Sequence, residues 1–111
     1  MYERAFRLSG HELEVAYDGA SALKKLQEMP EVPEAILLDV MMPNMNGLNL
    51  ILALRRDPRY KSVPIAILTN SFYKEDEQYF LSKGADLYVV KIEHKPEEVV
   101  KKIEDLISGQ K

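Results

Sequence analysis

Asp39, Thr69 and Lys91 are the residues of this sequence whose types together could hold or transfer a phosphoryl group. A carboxylate can act as a nucleophile toward phosphorus, a hydroxyl can hydrogen-bond a phosphoryl oxygen, and an ammonium can neutralise the charge that develops on transfer. Each stands where an apolar run ends: Asp39 after AILL, Thr69 after IAIL, Lys91 after LYVV. Alone, each has an ordinary explanation. A strand-end aspartate also serves turns and caps, a threonine is a common strand residue, and a strand-end lysine is normally solvated. Their joint placement is what points to chemistry.

For the three to meet, the runs must be strands that share one edge. Strands are expected over residues 12–17, 35–38, 64–68 and 87–90, each rich in β-branched or aliphatic residues and bounded by a polar or turn-forming residue. AILL and IAIL are almost continuously apolar, as parallel strands covered on both faces must be. Helices are expected between them. One covers residues 20–27, with Asp18 or Ser21 as cap, and one covers residues 48–56 after Gly47. Another covers residues 74–83 and stops at Gly84 in a left-handed cap. The last starts at Pro96, carries Glu97 and Glu98 in its first turn, and places Val99, Val100, Ile103, Leu106 and Ile107 on one face. Regular alternation of strand and helix implies an α/β fold with a doubly wound parallel sheet and right-handed crossovers. Functional groups then gather at the carboxyl ends of the strands. The segment VMMPNMNG that follows Asp39 reads as a loop at that edge, punctuated by Pro43 and Gly47.

Composition narrows the function. At 111 residues the chain is the size of one domain, and 46% hydrophobic with 30% charged residues is a globular balance. No apolar run approaches the roughly 20 residues that span a bilayer, and the first residues lack the apolar centre of a signal peptide, so a cytoplasmic protein is expected. The absence of cysteine excludes disulfides and thiolate metal sites. Net charge is −3, and the pairs Arg55/Arg56, Lys24/Lys25 and Lys101/Lys102 lie among acidic residues as solvated helix faces. Nucleic-acid binding by this chain alone is therefore not expected. His11 and His94 lack the paired spacing of metal ligands and are assigned no chemistry.

LLDVMMPNMNGLNLILALR, IAILTNS and KGADLYVVK resemble, in order, the three signature regions of response-regulator receiver domains. The resemblance covers nearly the whole chain and implies the flavodoxin-like receiver fold. By it, Asp39 would accept a phosphoryl group from a histidine kinase or phosphotransfer protein, and Thr69 and Lys91 would contact that group. Met41 would offer its backbone carbonyl to Mg²⁺, and Thr69 and Tyr88 would form the switch. The surface of the last two helices and strand would be the output face toward a partner. Read without the resemblance, Tyr88 is equally a half-buried strand tyrosine.

The chain departs from that pattern at its start. Receivers begin with a hydrophobic strand and an acidic pair that helps hold Mg²⁺, whereas MYERAFRLSG resembles the second half of the first helix, with Tyr2 and Phe6 at helical spacing. The expectation is an N-terminally truncated receiver with weak or lost Mg²⁺ binding, because only Asp39 and the Met41 carbonyl remain; Asp18 is a remote substitute. Ile92 stands where the family usually has proline, and Asn70 where a small residue is common. Without the central first strand, two sheet edges need partners, and a homo-oligomer built by exchanged or paired strands is expected. Two other functions compete. A pseudo-receiver would bind partners without phosphate, and a phosphatase resembling the haloacid dehalogenases would need a second aspartate where Met41 stands.

Overall fold

The computed structural model describes residues 2–11, 19–39, 47–70 and 73–109. The strand expected over residues 12–17, as well as Asp18 and Met41, lies outside the described residues. In chain order the elements are α1 (Tyr2–Leu8), α2 (Gly19–Glu28), β1 (Ile36–Asp39), α3 (Gly47–Arg56), β2 (Ile65–Thr69), α4 (Lys74–Ser82) and β3 (Leu87–Val90). A 3₁₀ turn (Lys91–Glu93) and α5 (Pro96–Gly109) follow.

The strands form a parallel sheet in the order β1-β2-β3, with Ile36 opposite Ile65 and Ala66 opposite Leu87. Asp39 and Thr69 prove to be the last residues of their strands rather than the first beyond them, because the backbone ladder pairs Asp39 with Leu68 and Thr69 with Val90. Main-chain pairing is indifferent to side-chain polarity, and such one-residue shifts at element ends are ordinary.

Every residue of β2 is buried, as its unbroken apolar run requires of a central strand covered on both faces. Side chains alternate across the pleat, so one strand feeds two cores. Ile65 and Ile67 join Leu38 against Leu26 of α2 and Leu50, Ile51 and Leu54 of α3. Ala66 and Leu68 join Val89 against Phe6 of α1 and Val99, Val100 and Ile103 of α5. His11 accompanies the second core, with Nε2 2.9 Å from Glu104 Oε2 on α5 and its ring edge-on to Phe6.

Helix ends follow their local chemistry. At the end of α4 the Ala85 N–H donates to the Phe80 carbonyl and the Gly84 N–H to the Leu81 carbonyl, a Schellman closure. Gly84 has φ of +121°, and a Cβ there would lie 2.9 Å from Arg55 Cγ, so glycine is required by both conformation and space. At the start of α5 the Glu98 carboxylate accepts from the Lys95 N–H at 2.9 Å, the returning half of a capping box. That bond, with help from His94, holds the Glu98 carboxyl below its ordinary range.

Arg55 corrects the reading of the basic pairs as solvated faces. Its Nε and one terminal nitrogen donate to the Gly84 carbonyl at 3.0 and 2.8 Å. Its other terminal nitrogen donates to the carbonyls of Tyr60, Lys61 and Val63. Asp86 Oδ2 lies 2.8 Å from the guanidinium and also accepts from the Ile65 N–H at 2.9 Å. A planar fork with five N–H donors suits such a junction, which ties α3 to the turns entering β2 and β3. Arg56, its neighbour, is exposed.

Candidate active site at the carboxyl edge of the sheet

Parallel pairing brings the ends of β1, β2 and β3 to one edge, and β2 lies between the strands that carry Asp39 and Lys91. Adjacent strands are about 4.8 Å apart, so these two backbones stand roughly 10 Å from each other. Only a long side chain closes that gap. Lys91 Nζ does so, reaching Asp39 Oδ2 at 2.8 Å across 52 positions of sequence. The pleat explains the meeting: Asp39, Leu68 and Val89 are in register and share the α1/α5 side of the sheet, and Lys91 is two residues beyond Val89.

Both partners are sheltered, with side-chain exposures of 23% for Asp39 and 21% for Lys91. Shelter lowers the local dielectric and strengthens the charge interaction relative to an open surface pair. The Lys91–Ile92 peptide is trans, and the chain passes directly into the 3₁₀ turn. Thr69 ends the strand between the two charged residues at 3% exposure. A carboxylate and a hydroxyl-bearing side chain thus end β1 and β2, and an ammonium follows directly on β3. The structure brings Asp39 and Lys91 into contact and ends the strand between them with Thr69.

Tyr88 lies in register with Ile67 and is half-buried beside α4, its ring 6.2 Å from that of Phe80. By alternation Thr69 is on the same side of the sheet as Ile67, which makes Thr69 and Tyr88 diagonal neighbours. Sequence reasoning missed Tyr2 of α1. Its ring centroid is 5.9 Å from Lys91 Nζ. The helical spacing of Tyr2 and Phe6 identified the core-facing side of α1, but nothing in it told how high on the sheet that side would sit.

Residues 1–104 match the family model described as the response regulator receiver domain. The transcriptional regulatory protein PrrA of Mycobacterium leprae is 40% identical over 89 residues, which are 80% of this chain and 36% of PrrA. The chain therefore spans little more than a third of the length of that relative. Among solved structures, the chemotaxis response regulator CheY4 of Vibrio cholerae superposes with a TM-score of 0.83 at 33% identity, covering 95% of this chain and 85% of CheY4. A response regulator structure from Chloroflexus aurantiacus gives a TM-score of 0.84 at 27% identity, covering 96% and 84%. With its signature regions in order, its strand ends converging on one edge and its family match spanning most of its length, the chain belongs to the response regulator receiver domains of two-component signalling.

Proposed function

We propose that Asp39 is the phosphoacceptor of this receiver, taking a phosphoryl group from a phosphohistidine on a histidine kinase or phosphotransfer protein. The observation that carries the reading is the 2.8 Å contact between Lys91 Nζ and Asp39 Oδ2 at the carboxyl edge of the sheet. In the transfer a carboxylate oxygen of Asp39 bonds to phosphorus as the phosphorus–nitrogen bond of the donor breaks, and the departing imidazole nitrogen keeps the electron pair and takes up a proton. Lys91 offsets the charge on the phosphoryl oxygens, and Thr69 hydrogen-bonds one of them. Thr69 and Tyr88 then form the switch, and the exposed Tyr79 of α4 and Ile92 after β3 belong to the output surface toward a partner.

Receiver domains generally bind Mg²⁺ in the active site, so the fit of this site to the ion matters. Mg²⁺ demands about six oxygen ligands. Among the described residues no group of three or more His, Asp or Glu could hold a metal, and the Asp39 carboxylate is already met by an ammonium. The described residues do not fit the ion. On the ligands that the described residues supply, phosphoryl uptake is expected to be slow and little changed by Mg²⁺.

Intact-mass spectrometry after incubation with a small phosphodonor, with and without low millimolar Mg²⁺, tests this. Slow, partial addition mapped to Asp39 is the expected outcome. Rapid stoichiometric addition that needs Mg²⁺ would refute the impairment, and addition at another residue would refute the assignment. Complete absence of addition would favour a pseudo-receiver that binds partners without phosphate.

One strand edge bears on assembly. Among the described residues β1 has a strand neighbour only on its β2 side, and a strand edge left without a partner pairs readily with another chain. We expect this edge to pair with a second copy. Light scattering after size exclusion, across micromolar concentrations, should report a dimer or larger species; a monomer throughout would exclude it.

A further inference from the structure

We infer that Tyr2 is a positioning residue for Lys91, holding the ammonium beside Asp39 through the face of its ring. The inference rests on the reading of Asp39 and Lys91 as the phosphoryl-accepting pair, but its first test does not depend on that reading.

The placement follows from how α1 is anchored. Phe6 is buried in the core shared with α5, and His11, just past the helix, contacts Glu104 of α5 at 2.9 Å. These contacts fix the lower end of α1 against α5. Tyr2 lies one turn above Phe6 on the same face, about 6 Å along the axis. That turn carries its ring to the carboxyl edge, 5.9 Å from Lys91 Nζ. Tyr2 is half-buried and packs on the same core.

An ammonium within about 6 Å of an aromatic ring is attracted by the negative face of its quadrupole, more strongly where water is partly excluded. Lys91 has four rotatable side-chain bonds, and ordering such a chain carries an entropic cost. The Asp39 carboxylate fixes one side of the ammonium; the ring supplies a second, uncharged contact from α1. The second contact matters most when Asp39 becomes bonded to phosphorus, because the ring still holds the ammonium at the height where the phosphoryl oxygens arrive. Tyr2 does not touch the reacting atoms. Its effect passes entirely through Lys91.

The phenol oxygen plays no part, so Tyr2→Phe should behave as the parent and Tyr2→Leu should not. The first measurement is the NMR shift of the Lys91 ε-methylene, which a ring face displaces upfield. The displacement should be present in the parent and in Tyr2→Phe and lost in Tyr2→Leu, whether or not the protein accepts phosphate. Absence of displacement in the parent, or its persistence in Tyr2→Leu, overturns the inference. The second measurement is the rate of phosphoryl uptake, expected to fall about three- to tenfold in Tyr2→Leu. In a Lys91→Ala background Tyr2→Leu should bring no further fall, since the residue through which it acts is gone. An equal fall in both backgrounds would mean that Tyr2 acts only by supporting α1 and would also overturn the inference. Should the parent take up no phosphate, the proposed function fails and the NMR result alone decides Tyr2.

Discussion

Asp39→Asn is expected to abolish phosphoryl uptake, and Lys91→Ala to slow it by about 10²- to 10³-fold, as loss of a single charge-stabilising donor does elsewhere. The two effects differ in kind. An amide has no anionic oxygen to attack phosphorus, so the asparagine variant lacks the reaction, whereas the alanine variant keeps the nucleophile and loses the cation that offsets the incoming charge. Asparagine keeps the shape of the side chain and can still accept a hydrogen bond from Lys91 Nζ, which contacts Oδ2 at 2.8 Å. Its folding should therefore be close to that of the parent. Time courses by intact mass, with denaturation midpoints measured alongside, separate a chemical defect from a folding one. Uptake by Asp39→Asn at the parent rate would place the phosphoryl group elsewhere and remove Asp39 from the mechanism. An unchanged rate in Lys91→Ala would show that the contact between the two side chains has no part in transfer.

What was legible in the sequence was whatever a short window determines. The run IAIL sufficed to identify a strand covered on both faces, and β2 is buried along its whole length. Pro96, Glu97 and Glu98 announced the start of α5, and Gly84 the left-handed stop of α4, because caps and closures involve residues only a few positions apart. Arg55 was not legible. Its acceptors are carbonyls of residues 60, 61, 63 and 84, which come within reach only after three elements have packed. In the sequence it is one of two adjacent arginines, and nothing local separates it from the exposed Arg56.

The candidate site divides in the same way. Asp39, Thr69 and Lys91 could be found because each ends an apolar run, and parallel strands necessarily present their ends on one edge. That Lys91 would reach Asp39 across β2 is a matter of register and side-chain length, and register comes from pairing between strands. Tyr2 was hidden for a related reason. Periodicity reveals which side of a helix faces the core but carries no information on its height against the sheet, and height is what brings the ring to Lys91. Met41 and the strand expected over residues 12–17 lie outside the described residues; the role of Met41 rests on the family resemblance and the strand on its residue pattern.

Tyr60→Ala is expected to cost about 3–5 kcal/mol of stability, in the range measured for truncating large buried rings. Tyr60 is 1% exposed and sits in the core formed by α2, α3 and one face of the sheet. Its hydroxyl donates to the Leu26 carbonyl at 2.5 Å and accepts from Arg59 at 3.3 Å. Leu26 lies in the last turn of α2, where carbonyls have no partner within the helix, so this hydroxyl closes a helix end from another part of the chain. The Tyr60 carbonyl in turn accepts from Arg55 at 3.1 Å, linking the same turn to α3. Alanine would leave a cavity and an unsatisfied carbonyl. Phenylalanine would fill the space and lose only the hydroxyl, at about 1–3 kcal/mol for the buried acceptor left behind. Urea denaturation should then rank the midpoints parent, Tyr60→Phe, Tyr60→Ala, with similar slopes if unfolding stays two-state. Tyr79→Ala is the control: that ring lies on the solvent side of α4 at 45% exposure, and its removal should shift the midpoint far less. If Tyr60→Ala and Tyr79→Ala moved the midpoint equally, Tyr60 would not be the buried tie between α2, α3 and the sheet. If Tyr60→Phe matched the parent, its hydroxyl would add nothing to the closure of α2.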